Sequence, residues 1–272
     1  MASKPSHAGG SLDPWPEAIE AACQGSPHFR MVRVLRETTS TQDAAVQLGP
    51  GAVVTAGRQS AGRGRLGAAW ADTLDEGVAV TFTLPPMPAE RLAMAAAVAS
   101  AEALISLLPP EVAACAGIKW PNDIVALRPD GGFRKLCGIL VERTDRMSLV
   151  GVGVNVHQAS FAGELAGRAT SLAMLGVHVD RLQVLLNLMR ELDRWLGASH
   201  EVLAAGYRRL DRTRGLRLRF HTPAGPVEGV VLDCDPLQGL RIRTLEGQVE
   251  LAAATTRVDP EPPADRSTMS TP

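Results

Sequence analysis

The chain has 272 residues, 45% of them hydrophobic, and its 28 Lys plus Arg nearly balance 29 Asp plus Glu to leave a net charge of -1. That balance excludes a global electrostatic pull toward nucleic acid or anionic lipid, so any anion must be held locally. Four scattered cysteines, Cys23, Cys115, Cys137 and Cys234, form no CxxC pair, which argues against a zinc site or a disulfide framework and fits a reducing cytoplasm. "MASKPSHAGG" lacks the apolar core of a signal peptide, and the most apolar long stretch, "RLAMAAAVASAEALISLL" (91–108), carries Arg91 and Glu102 and is too short to span a bilayer.

Residues 1–31 are rich in Pro, Ser and Gly, which predicts a flexible segment with "WPEAIEAAC" (15–23) as a candidate short helix. "MVRVLRE" (31–37) alternates as a strand does, "TQDAAVQL" (41–48) suits a short helix, and "GAVVTAG" (51–57) and "GVAVTFTL" (77–84) are β-branched runs bounded by turn residues. A buried helix is predicted over 90–108. "GIKW", "DIVAL", "KLCGILVE" and "MSLVGVGVNV" then read as short strands joined by hairpin-length turns such as "PDGG" (129–132). The result is an α+β fold with a mixed, mainly antiparallel sheet. Helices over 180–196, with Asp180 as N-cap, and about 200–210 would cover one sheet face. From Gly215 the texture changes to strand-length alternating units separated by Gly-containing turns, a small all-β unit too short to bury much area alone. The division expected is 1–31 flexible, 32–212 catalytic, 213–258 a β-barrel and 259–272 a disordered tail.

Five stretches carry candidate chemistry. "GRQSAGRGRLGAAW" (57–70) interleaves glycines with Arg58, Arg63 and Arg65 and closes on Trp70; guanidinium groups on so mobile a tether suit phosphate or carboxylate oxygens. The others are "TTSTQDA" (38–44), "KWPND" (119–123), "KLCGILVE" (135–142) and "GVGVNV" (151–156). Each has an ordinary explanation when taken alone: Ser40 and Thr41 can cap a helix, Trp120 and Pro121 can be core and turn, and Asn155 can satisfy a neighbouring backbone group. No Ser-His-Asp or Cys-His arrangement is apparent, and Cys137 sits among apolar neighbours as a core cysteine does.

In this order and spacing, over roughly residues 33–258, the five stretches resemble the biotin protein ligases. The resemblance implies a class II synthetase-like catalytic domain with a C-terminal SH3-like barrel. It implies that biotin and ATP, accompanied by Mg²⁺, give biotinoyl-5′-adenylate and pyrophosphate, and that the activated biotin passes to a lysine of a biotin carboxyl carrier protein. It further implies that Ser40, Thr41, Gln42, Gln59, Arg63, Gly64, Arg65 and Lys135 bind biotin, and that Trp70, Lys119, Asn122, Asp123 and Asn155 handle ATP. Arg65, Lys119 and Lys135 would carry catalysis, as cations that offset charge developing on phosphate. Asp123 has three open roles: orienting a lysine, holding Mg²⁺, or assisting deprotonation of the incoming amine. Arg63, Gly64 and Arg65 would fold over the adenylate and shield it from water. The chain departs from many relatives in reading "LGAA" after Arg65, where further basic residues are common, so closure would rest on Arg63 and Arg65. The rival within the same fold is a lipoate ligase or octanoyl transferase. A repressor-type helix-turn-helix is not expected from the 30 or so residues ahead of the catalytic region, and no nucleic acid is expected as partner. The oligomeric state is open, a homodimer through a sheet edge included.

Overall fold

The computed structural model describes residues 11–71, 74–128, 132–235 and 239–259. The predicted turn at 129–132 and the tail from 260 onward fall largely or wholly outside the described residues.

The chain runs α1 (Trp15–Cys23), β1 (Met31–Leu35), α2 (Thr41–Val46), β2 (Ala52–Ala56), β3 (Gly77–Leu84), α3 (Ala89–Ile105), α4 (Pro110–Ala113), β4 (Ala116–Lys119), β5 (Asp123–Leu127), β6 (Phe133–Arg143), β7 (Ser148–Asn155), α5 (Arg181–Leu196) and α6 (His200–Leu210). Five further strands follow, β8 (Arg217–Thr222), β9 (Gly225–Asp235), β10 (Gly239–Arg243), β11 (Gln248–Leu251) and β12 (Arg257–Val258). The first seven strands form one mixed sheet in the order β1-β2-β3-β7-β6-β5-β4. Only β1 and β2 pair in parallel; the other neighbours are antiparallel.

Strand alternation divides this sheet into two unlike faces. Val78, Val80, Phe82 and Leu84 of β3, with Val150, Val152 and Val154 of β7, join the main core with α3 and α5. α3 is alanine-rich because it is buried almost all round, with Ala95, Ala96, Ala97, Ala99, Ala101 and Ala103 buried between the sheet and its companion helices; small side chains permit that close approach. The opposite face presents Thr81, Gly151 and Gly153, and there α2 and the loop around Trp70 pack instead. α5 starts as predicted, the Asp180 carboxylate accepting from Leu182 N at 2.7 Å.

The expectation of a flexible segment up to residue 31 fails for residues 11–31. Trp15, Ile19 and Cys23 recur every four residues, so they share one face of α1, and Trp15 and Ile19 are buried with Phe29 in the main core. The buried Arg181 guanidinium lies 5.3 Å from the Trp15 ring centroid, and Asp193 holds both Ser26 and His28 at 2.9 Å. Flanking Pro, Ser and Gly lowered the average hydrophobicity of the segment and masked a stripe with that spacing.

The C-terminal strands form a five-stranded antiparallel sheet, β11-β10-β9-β8-β12. Its alternation is clean: Leu218, Phe220, Leu240 and Ile242 point inward while Arg219, Arg241 and Arg243 stay exposed. The inward set is continuous with the core beneath the larger sheet, so the small unit gains the burial it could not supply alone.

Candidate active site

The site lies on the glycine-lined face, where α2, the loop of residues 57–70 and the ends of β5, β6 and β7 converge. Ser40 caps α2, its hydroxyl accepting from Gln42 N at 3.2 Å. The Gln59 side-chain oxygen accepts from both Thr41 N at 2.9 Å and Thr41 Oγ1 at 3.0 Å, and Thr81 donates to Thr41 Oγ1 at 2.9 Å. Gln42 reaches the Leu140 carbonyl at 3.3 Å and crosses Gly151, where an added Cβ would come within 3.1 Å of the Gln42 amide carbon. The result is a rigid, buried polar corner.

Residues 62–70 form a small hairpin closed by a bridge between Arg63 and Ala69, with Leu66 (φ 55°) and Gly67 (φ 75°) in the left-handed region at its tip. Successive left-handed residues are what a two-residue turn of this hand requires; Gly67 adopts the conformation freely and Leu66 under strain. At the base, Trp70 N donates to the Gly62 carbonyl, and the indole packs against Gly138 and Gly153 of the sheet. A Cβ on Gly153 would meet Trp70 Cε2 at 2.5 Å, and one on Gly138 would meet both Trp70 Cζ3 and Lys135 Nζ at 2.9 Å. The glycines of "KLCGILVE" and "GVGVNV" are therefore the floor on which Trp70 rests.

The cations divide by environment. Arg63 forks onto Asp43 with two bonds of 2.8 Å and reaches Glu142 at 3.5 Å; its guanidinium holds the Asp43 carboxyl below the usual range. Arg58 pairs with Glu37 on the surface at 3.4 Å. Arg65 is mostly buried and donates to neutral oxygens, Asn122 Oδ1 at 3.2 Å and the Ala253 carbonyl; burial pulls its pKa down. Lys119 is 7% exposed, lies 5.4 Å from the Phe133 ring centroid and donates to the Val258 carbonyl at 3.2 Å, and burial likewise pushes its pKa down. Lys135 meets Asp123 at 2.6 Å and sits 5.6 Å from the Trp70 ring centroid. Cys137 is buried, and burial pushes its thiol pKa far up, so this cysteine is a neutral core thiol and not a thiolate nucleophile.

Two cavities adjoin here, the second the roomier. Trp70 and Lys135 line both and mark the partition between them. The first is bounded by the polar corner and the arginine hairpin, the second by Trp70, Phe133 and Phe161 with Lys119, Asp123 and Arg168.

The description "Biotin/lipoate A/B protein ligase family" matches residues 31–158, the span that builds the seven-stranded sheet. The chain is 38% identical over 228 residues to the biotin–[acetyl-CoA-carboxylase] ligase of Mycobacterium tuberculosis, covering 76% of this chain and 81% of that protein. The chain belongs to this ligase family. It is also similar to the biotin protein ligase of Aquifex aeolicus solved in complex with biotin and ATP, with a TM-score of 0.73 and 25% identity over 86% of this chain and all of that one. A ligase of Leishmania major solved with biotinyl-5-AMP shares the fold at a TM-score of 0.58 and 23% identity.

Against this ligase fold the sequence-derived sites can be located one by one. Ser40, Thr41, Gln42, Gln59, Arg63, Gly64, Arg65 and Lys135 all line the first cavity. Trp70, Lys119, Asp123 and Asn155 line the second. Asn122 does not join them: it lines the first cavity, where its amide donates to the Ile139 carbonyl and its oxygen accepts from Arg65. Its side chain points across the β4–β5 turn from that of Asp123, as neighbouring residues at a strand start must. Asn155 uses its amide on the Thr170 carbonyl at 3.0 Å and the Lys135 carbonyl at 3.3 Å, fixing the rim of the second cavity. Sequence reasoning missed Phe133, Phe161 and Arg168 as walls, and Asp43 and Glu142 as partners of Arg63. Phe133, Phe161 and Arg168 lie outside the five stretches, whereas Asp43 and Glu142 lie inside "TTSTQDA" and "KLCGILVE", and an acidic residue in the first turn of α2 was a visible signal for a nearby cation.

Proposed function

We propose that this chain is an ATP-dependent biotin protein ligase, which activates biotin as biotinoyl-5′-AMP and transfers it to a lysine of a biotin carboxyl carrier protein. The observation that carries the reading is the pair of cavities meeting at Lys135 and Trp70, with the residue set attributed to biotin in one and most of the set attributed to ATP in the other. Two substrates bound end to end across that partition bring a carboxylate to an α-phosphate. In the first cavity the hydroxyl and amide groups of Ser40, Thr41, Gln42 and Gln59 suit a polar ureido ring. In the second, Trp70, Phe133 and Phe161 offer flat apolar surface to a nucleobase and Lys119, Lys135 and Arg168 offer charge to phosphates.

The carboxylate oxygen of biotin forms a bond to the α-phosphorus while the bond from that phosphorus to the bridging oxygen breaks and pyrophosphate leaves. Lys135, held by Asp123, faces the reacting carboxylate and phosphate; Arg65 is near enough to share the developing charge. The 2.6 Å contact favours the orienting role for Asp123 among those open to it. The carrier amine then attacks the acyl carbon, the bond to AMP breaks and the amine proton passes to solvent. Mg²⁺ would accompany ATP and offset charge on its phosphates, and Asp123, the single carboxylate among the described residues lining the second cavity, would face it.

The test is biotin-dependent ATP–pyrophosphate exchange, run in parallel with lipoate, octanoate and no acid. Exchange with biotin alone, lost by at least about 100-fold in Lys135→Ala, is the expected result. Exchange with lipoate or octanoate moves the protein to the rival chemistry, and exchange by Lys135→Ala at the wild-type rate removes Lys135 from the reaction.

A further inference from the structure

Lys119, Asn122 and Asp123 all sit on the short "KWPND" connection between β4 and β5, so where that turn lies decides where three site groups lie. One of its grips is local, between Asn122 and Ile139 of β6. Another comes from 86 residues away. Tyr207, the single tyrosine of the chain, is wholly buried on α6 and donates its hydroxyl to the Pro121 carbonyl at 3.3 Å. The same hydroxyl meets the Cys234 thiol of β9, and burial pushes the phenol pKa up, so it remains a neutral donor. Just beyond Tyr207, Arg212 N donates to the Ile118 carbonyl at 2.9 Å. The end of α6 therefore bonds the strand on both sides of Lys119 and Trp120. Gly117 makes the approach possible, since a Cβ there would run into the Leu210 carbonyl and the Arg212 side chain.

We infer that Tyr207 is a positioning residue for the nucleotide half of the site: its hydroxyl fixes the Pro121 carbonyl and, through it, the placement of Lys119 and Asp123. The inference rests on the ligase reading for the identity of the nucleotide. The hydroxyl touches neither cavity, so it acts through the turn alone. Removing it leaves the Pro121 carbonyl without that partner, and the turn is then free to shift. A shift of about 1 Å in groups that hold a reacting phosphate is enough to lower turnover severely.

Tyr207→Phe keeps the ring and its packing and removes the hydrogen bond. With biotin at saturation, binding of α,β-methylene ATP, whose bridging carbon blocks adenylation, is expected to weaken about tenfold by calorimetry, and kcat/KM for ATP in pyrophosphate exchange to fall by a similar factor. The Kd for biotin alone should stay within about twofold of wild type. Ile19→Ala, which opens a cavity beneath α1 far from the turn, is the control: it should lower the thermal midpoint and leave the nucleotide constants unchanged. Wild-type nucleotide affinity in Tyr207→Phe, or an equal loss in Ile19→Ala, overturns the positioning role. The ligase reading fails separately, by absence of biotin-dependent exchange in the wild-type protein.

Discussion

Arg63 and Arg65 are separated by one glycine, yet the two ends of their hairpin are electrostatically unlike. At the Arg63 end the cation is half-exposed and already neutralised by the fork to Asp43 and the contact with Glu142. At the Arg65 end the cation is partly buried, with a neutral amide oxygen and a main-chain carbonyl as its hydrogen-bond partners among the described residues. A buried cation without a paired carboxylate is costly, and an arriving phosphate relieves that cost. The difference teaches that guanidinium groups in one loop need not do one job: carboxylates anchor Arg63 to α2 and β6, whereas Arg65 is bonded to neutral oxygens, which suits the ligand-binding role proposed for it. Arg257 strengthens the contrast, because it donates to the Leu66 carbonyl and ties the Arg65 end to the C-terminal sheet.

Arg65→Ala should break this division most severely. Adenylate formation is expected to fall by about 10- to 100-fold, and the adenylate that does form should escape and acylate lysines of a bystander protein. The chain itself offers few acceptors, since its lysines are Lys4, Lys119 and Lys135 against 25 arginines, so the label should appear on added albumin rather than on the ligase. Activity lost without diffuse labelling would mean that Arg65 does not retain the intermediate. Arg63→Ala should be milder, about threefold in exchange rate, because a half-exposed ion pair contributes little to stability or to the closed pose. An effect as large as that of Arg65→Ala would erase the distinction between the two ends.

Much of this arrangement was legible before any coordinates. The hydroxyl pair, the glycine/arginine loop and the lysine of "KLCGILVE" are local patterns whose chemistry is written in a few adjacent residues, and all eight residues attributed to biotin line one cavity. The seven strands of the larger sheet followed from β-branched runs and turn residues. What escaped depends on contacts between distant parts of the chain. Asn122 and Asp123 are neighbours in sequence but face different cavities, which only the strand's orientation decides. Gly138 and Gly153 lie inside two of the five stretches, but the group that needs their missing side chains, Trp70, arrives from a loop about 70 and 80 residues earlier. The grip of Tyr207 on Pro121 and of Arg65 on Ala253 spans 86 and 188 residues. The packing of α1 was hidden for a different reason, since its apolar stripe is only three residues long and is diluted by polar flanks.

Lys119 offers the finest test of the contrast, because it belongs with Arg65 and not with Arg63: a buried cation bonded to a main-chain carbonyl of the C-terminal segment. Desolvation pulls its folded pKa below the ordinary lysine value of 10.5. The unfolded chain then binds the proton more readily than the folded one, so the contribution of Lys119 to stability rises as pH climbs from the folded value toward 10.5. Lys119→Met keeps most of the apolar stem and has no proton to bind. Stability by urea unfolding, compared at steps from pH 7 to 10, should show wild type gaining on Lys119→Met by up to about 1.4 kcal/mol per pH unit within that window. The other groups that titrate there, Cys23 among them, are common to both proteins and cancel in the difference. A gap that stays flat with pH would mean that the ammonium is fully compensated in the fold, and Lys119 would then belong with Arg63 as an anchor.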